Sequence, residues 1–221
     1  MTFIYTAVAK DGTIVTVGDT AVTNGYGLVT SNVKKTQGAK STQFSFAGNH
    51  YFEDFERFAH EFIVPSAQPK EKIAALFVRE RERNYMLDNS DGSAERFSPY
   101  QFMSGVWDGK DSILLVNDRV GQRIPFNKKM YSIGMRTDIA AAYLSQYDPN
   151  MEREDIIRLL CSTMIAEKKS ARIHGYNHFG PLGFQLSVLD QAGFRNLEYM
   201  CEEQVMKKAD KLPIFESKYL Q

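Results

Sequence analysis

The side chains best suited to chemistry in this sequence are four histidines, two cysteines and a threonine directly after Met1. His50, His60, His174 and His178 include no pair at i, i+4 on a helix with a carboxylate partner, the arrangement that would hold zinc. His174 and His178 stand in a glycine-rich loop, and no metal is expected. Cys161 falls inside an apolar helical pattern, where a cysteine packs as a small hydrophobe. Cys201 is distant in sequence, so no disulfide is expected and the usage fits a reducing compartment. Thr2 differs in kind. Threonine is small enough beside Met1 for a methionine aminopeptidase to remove that residue. The amine left behind would titrate near ~7.7 to 8.0, in the range of a general base at neutral pH.

The elements that must position such groups follow from the hydropathy pattern. Residues 3–9 and 13–17 are β-branched and aromatic around the turn Asp11-Gly12, which predicts an antiparallel hairpin. Further strands are expected at 27–33, after the turn signal Asn24-Gly25, and at 42–47. From Tyr51 the period changes: Phe52, Phe55, Phe58, Phe62 and Ile63 recur at helical steps until Pro65, and a second helix is expected over 69–87. Its charged tract, residues 79–83, reads as a solvated helix face with local ion pairs. Turn formers fill 88–99. Strands then resume at 101–107, 112–117 and 130–134.

Thr137 or Asp138 can cap a helix running through Tyr147. Residues 151–170 place Ile156, Leu160, Cys161 and Met164 on one apolar face. One plausible strand, 184–189, follows, and the rest of the chain is ambiguous. Strands, two helices, strands and two helices make an α+β chain. Two antiparallel sheets, each covered by a helix pair, would bury every apolar face as a four-layer αββα sandwich. The expected organisation is one domain over 1–221, with 191–221 as a C-terminal extension.

Charge and length set further bounds. The 27 basic and 27 acidic residues cancel, so no net field recruits nucleic acid or an anionic membrane. The start lacks the charged n-region of a signal peptide, and no apolar run approaches the ~18 residues of a membrane span. The expected location is cytoplasmic.

A string of short motifs gives the pattern a family. Met1-Thr2, Asp11-Gly12-Thr13-Ile14-Val15, Gly18-Asp19, Thr23-Asn24-Gly25, Asn32-Val33-Lys34-Lys35 and Phe46-Ala47-Gly48 occur in order, followed by an aromatic-rich helix containing Phe55-Glu56-Arg57-Phe58. In this order and spacing they resemble the proteasome β-subunit family of N-terminal nucleophile hydrolases, and most closely its bacterial HslV-type peptidases. Ile133-Gly134 and the helix with Ala140-Ala141-Ala142 are similar to the second half of that fold.

The resemblance implies roles for four residues. Thr2 would be the nucleophile, with its own α-amine as base. Lys35 would favour the deprotonated hydroxyl, and Asp19 would hold and neutralise Lys35. The backbone N–H of Gly48 would donate to the oxyanion, at a point needing close backbone approach. Val33 and Phe46 match positions facing the pocket for the residue before the scissile bond. Each residue also has an ordinary reading: Thr2 as an initial residue, Asp19 as a turn former, Lys35 as a solvated charge, Gly48 as a helix entry, Phe46 as core.

Two positions depart from the family. Met135 stands where a serine usually hydrogen-bonds near the nucleophile's amine, and a thioether accepts only weakly. Residues 166–171, with Lys168 and Lys169, stand where an Asp and a Ser, or a glycine-containing loop, are expected after the last helix, although Ser170 could substitute for the serine. The expected function is a threonine peptidase subunit in a homo-oligomeric ring, without cofactor, acting on peptide or unfolded protein. A ring ATPase unfoldase is the partner the family implies. The alternatives are a catalytically inactive structural or assembly subunit of a bacterial or viral particle, and an amidase acting on a small molecule.

Overall fold

The structure, a computed structural model, describes residues 2–20, 22–24, 27–30, 33–48, 100–107, 112–117, 129–134, 138–173 and 184–200. β1 (Phe3–Val8) and β2 (Ile14–Asp19) form the expected hairpin. Asp11 makes its turn: Oδ1 accepts the N–H of Thr13 at 2.9 Å, and Gly12 takes a positive φ of 84° that other residues rarely adopt. The strand expected over 27–33 is shorter and belongs to a small hairpin, β3 (Val22–Asn24) with β4 (Gly27–Thr30).

A strand with no strong sequence signal, β5 (Thr36–Ala39), pairs with β6 (Thr42–Gly48). β7 (Tyr100–Trp107), β8 (Ser112–Asn117) and β9 (Met130–Gly134) follow close to the expected limits. After α1 (Asp138–Leu144) and α2 (Arg153–Ile173) come β10 (Phe184–Asp190) and β11 (Gly193–Met200). β11 lies within the stretch that the sequence left ambiguous, and it is part of the main sheet.

The strands form two larger antiparallel sheets, β11-β10-β2-β1-β9 and β5-β6-β7-β8. Strand alternation gives the first sheet two different faces. Phe3, Tyr5, Val15, Val17, Phe184, Leu186 and Val188 lie on the helix side, packed with Ile156, Leu160, Cys161 and Met164 of α2 and with Ala140 and Leu144 of α1. Apolar residues three to five apart on α2 make one stripe, and each such side chain contributes ~1.5 to 3 kcal/mol when fully buried. The opposite face meets the second sheet through two clusters. Ile4 and Ile133 pack with Ala47, Met103 and Val116, and Val8, Ile14 and Leu189 pack with Leu114.

Three layers are thus described: helices, sheet, sheet. The helix pair expected over 51–87 lies outside the described residues. Among the described residues no helix is long and apolar enough to cross a membrane.

The two sheets also meet at their turns. Phe194 N–H donates to Lys40 O at 2.8 Å, and Gly193 (φ 97°) lies so close to Lys40 that an added Cβ would stand 3.1 Å from its carbonyl oxygen. The positive φ favours glycine there, and the close carbonyl leaves little room for a side chain.

Candidate functional site

Thr2 immediately precedes β1, and Asp19 ends β2. The β1–β2 register pairs Ile4 with Gly18, so the next step along both strands sets Phe3 beside Asp19. The carboxylate turns back onto this pair: Asp19 Oδ1 accepts the N–H of Phe3 at 2.7 Å. Lys35 is placed by the second sheet. Thr36 pairs with Ser45, and one step back the N–H of Phe46 donates to Lys35 O at 3.0 Å. The two sheets therefore bring the ends of β1, β2 and the entry to β5 to one point.

At that point Lys35 Nζ donates to Asp19 Oδ2 at 2.7 Å and to Thr2 Oγ1 at 3.0 Å. The Asp19 side chain is 1% exposed and that of Lys35 5%, while Thr2 is half-buried. Burial pushes the Lys35 ammonium below its ordinary pKa; the charge of Asp19 and their hydrogen bond act the other way without cancelling it. A lowered pKa makes the ammonium a more acidic donor toward the Thr2 hydroxyl. Asp19 satisfies both of its oxygens, one on the backbone beside Thr2 and one on Lys35. An ion pair so deeply desolvated contributes little net stability against an apolar replacement, so its presence here calls for a reason other than packing.

The remaining expected residues are placed as follows. Val33 is half-buried, and its N–H donates to Thr20 O at 3.0 Å, which holds the segment leading to Lys35. Phe46 is 5% exposed. Its side chain alternates to the face of β6 opposite Ala47, and its backbone steadies Lys35. Gly48 ends β6 opposite Tyr100; the strand-to-helix junction beyond it lies outside the described residues, as do Met135, Cys201 and all four histidines. Residues 166–171 lie inside α2 rather than beyond its end, because the helix continues to Ile173. The segment that follows the last described helix is 174–183, outside the described residues.

Two more residues belong to the site: Gly134, which the sequence marked only as part of a fold motif, and Gln101, which it did not mark. Gly134 takes a positive φ of 91°, and a Cβ added to it would collide with the carbonyl of Thr2. Its N–H donates to Gln101 Oε1 at 2.6 Å. The Ile133-Gly134 motif was the available signal for the first; nothing in the sequence marks the second.

Comparison of the chain with the known protein families and with curated proteins found no match in either.

Proposed function

We propose that this chain is a proteasome-like threonine peptidase subunit, an N-terminal nucleophile hydrolase that cleaves peptide bonds with Thr2. One observation carries the reading: the buried Lys35 ammonium stands 3.0 Å from Thr2 Oγ1 and 2.7 Å from Asp19 Oδ2. A threonine hydroxyl is a weak nucleophile, and such a partner favours its deprotonated form.

In this mechanism the Met1–Thr2 bond is cleaved first, which frees the α-amine. The amine takes the Oγ1 proton as Oγ1 attacks the peptide carbonyl carbon. The carbonyl electron pair moves to oxygen, and the N–H of Gly48 donates to that oxyanion. The protonated amine then passes its proton to the leaving nitrogen as the C–N bond breaks, leaving an ester on Thr2. Water, deprotonated by the same amine, attacks the ester and restores the hydroxyl. Val33 and Phe46 belong to the substrate pocket in this reading.

The same proposal carries the four-layer αββα sandwich expected from the sequence. It also carries a homo-oligomeric ring in the cytoplasm, unfolded protein as substrate and a ring ATPase unfoldase as partner. Mass spectrometry of the native protein is expected to find Thr2 as the first residue, and a peptide epoxyketone is expected to form one adduct, lost in Thr2→Ala. An intact Met1 together with the absence of any adduct sinks the reading.

A second reading is favoured by Met135, which offers no donor where the family has a serine: the same fold serving as a structural or assembly subunit without catalysis. Peptide hydrolysis that depends on Thr2 and disappears in an otherwise intact assembly of Thr2→Ala excludes it.

A further inference from the structure

We propose that Gln101 is a positioning residue for Thr2, acting through Gly134 from the opposite sheet. This role rests on the reading of Thr2 as a nucleophile, but its physical basis is separate. Val8 N–H donates to Lys129 O at 2.7 Å, and reciprocal bonding in an antiparallel ladder recurs at every second pair. That phase falls on Thr6–Tyr131 and Ile4–Ile133. Phe3 and Gly134 are the next pair, in the non-bonded phase, so the N–H of Gly134 is turned away from β1. A backbone amide left unpaired away from water costs free energy comparable to a lost hydrogen bond, so an acceptor from elsewhere is favoured.

Gln101 supplies the missing acceptor. It lies on β7, opposite Ala47 in register and on the same face as Met103, which packs between the sheets. Its amide oxygen accepts the Gly134 N–H at 2.6 Å, and an amide N–H donor fixes that atom as Oε1. Gly134 in turn abuts the Thr2 carbonyl so closely that no side chain fits between them. Lys35 pulls the Thr2 hydroxyl from one side, and Gln101, through Gly134, sets the Thr2 backbone from the other. Both tethers come from the second sheet, so the nucleophile is located by the sheet it does not belong to.

The test compares three variants of the full-length protein. Gln101→Leu keeps the volume and removes the acceptor, Gln101→Glu keeps an acceptor, and Gln101→Asn is too short to reach and serves if the leucine variant does not fold. The Thr2 methyl signal in NMR, assigned with Thr2→Ser, is expected to shift and broaden in the Leu or Asn variant and to return toward its original position in the Glu variant. In parallel, the maximal rate of epoxyketone labelling should fall about tenfold or more at unchanged inhibitor affinity, because small misplacements of a reacting group are costly.

A Thr2 methyl signal unmoved in the folded Leu or Asn variant overturns the positioning role. So does a labelling rate equal to wild type. If the wild type forms no adduct at all, the peptidase reading fails, and the methyl signal alone then decides whether Gln101 positions Thr2.

Discussion

The two faces of the five-stranded sheet are built on opposite principles. The face under α1 and α2 is apolar from Phe3 and Tyr5 across to Leu186 and Val188. The face toward the second sheet is threaded with polar groups. Thr6 and Thr16 hydroxyls meet at 2.8 Å, Gln43 Nε2 donates to Thr16 Oγ1 at 2.7 Å, and Gln185 Oε1 accepts the N–H of Thr36 at 3.0 Å. Hydrophobic contact is non-directional and tolerates sliding, whereas hydrogen bonds fix distance and angle. The helix face holds the sheet together, and the inter-sheet face fixes the register that the site needs.

Breaking the site itself should cost most. Lys35→Ala leaves the Asp19 carboxylate buried without its cation, and denaturant unfolding is expected to register a loss of ~3 to 5 kcal/mol. The double variant Lys35→Met with Asp19→Asn sharpens the comparison. Asparagine still accepts the Phe3 N–H, so stability should return to within ~1 to 2 kcal/mol of wild type while epoxyketone labelling stays absent. A double variant as unstable as the single one would make the pair a structural necessity.

Next comes the apolar face, where Leu160→Ala is expected to cost ~2 to 5 kcal/mol by thermal or chemical unfolding with the Thr2 methyl signal unchanged. Thr16→Val removes an acceptor from the polar layer and should cost less, ~1 to 3 kcal/mol, yet disturb that signal more. If Leu160→Ala moves Thr2 and Thr16→Val does not, the division of labour between the faces is wrong.

Alkaline pH separates the faces by sign. Lys35 has a lowered pKa in the fold, so the unfolded chain binds its proton more tightly. Its contribution to stability therefore rises with pH between the folded value and the ordinary 10.5. Tyr147, beside the helices, donates from its hydroxyl to Val8 O at 2.8 Å, and burial pushes its pKa up to about 12. The unfolded phenol loses its proton first, so the stability Tyr147 supplies is present below pH 10.0 and declines as pH rises from there toward 12. Stability measured against pH in wild type, Tyr147→Phe and the Lys35→Met, Asp19→Asn variant should isolate these opposite slopes. The smallest effect belongs to the exposed pair Lys10–Glu152, 3.2 Å apart with both side chains about 60% exposed. Glu152→Gln should change stability by no more than ~1 kcal/mol.

How much was legible beforehand follows from the same contrast. Asp11-Gly12 announced a hairpin because its chemistry is local, and α2 was readable because a stripe such as Ile156, Leu160 and Met164 repeats at helical spacing. β11 was not, since Arg195 and Asn196 interrupt its apolar pattern, and what seats it is pairing with β10 and the bond from Phe194 to Lys40. β5 is short and has no large apolar side chain, a strand only because β6 and Gln185 take up its backbone groups. Thr2, Asp19 and Lys35 were found through a resemblance of motifs, and their convergence depends on strand pairings that no local pattern encodes. Gln101 was invisible for the same reason: its partner lies 33 residues away, in the other sheet.

The strand order also has a consequence for assembly of the fold in time. β1 is flanked by β2, which is close in sequence, and by β9, which is not, while β2 finds its other neighbour only in β10. Contacts so distant along the chain form slowly, and synthesis delivers β9 and β10 long after β1. The segment carrying Thr2 is thus fully seated only once β9, far along the chain, has paired with β1.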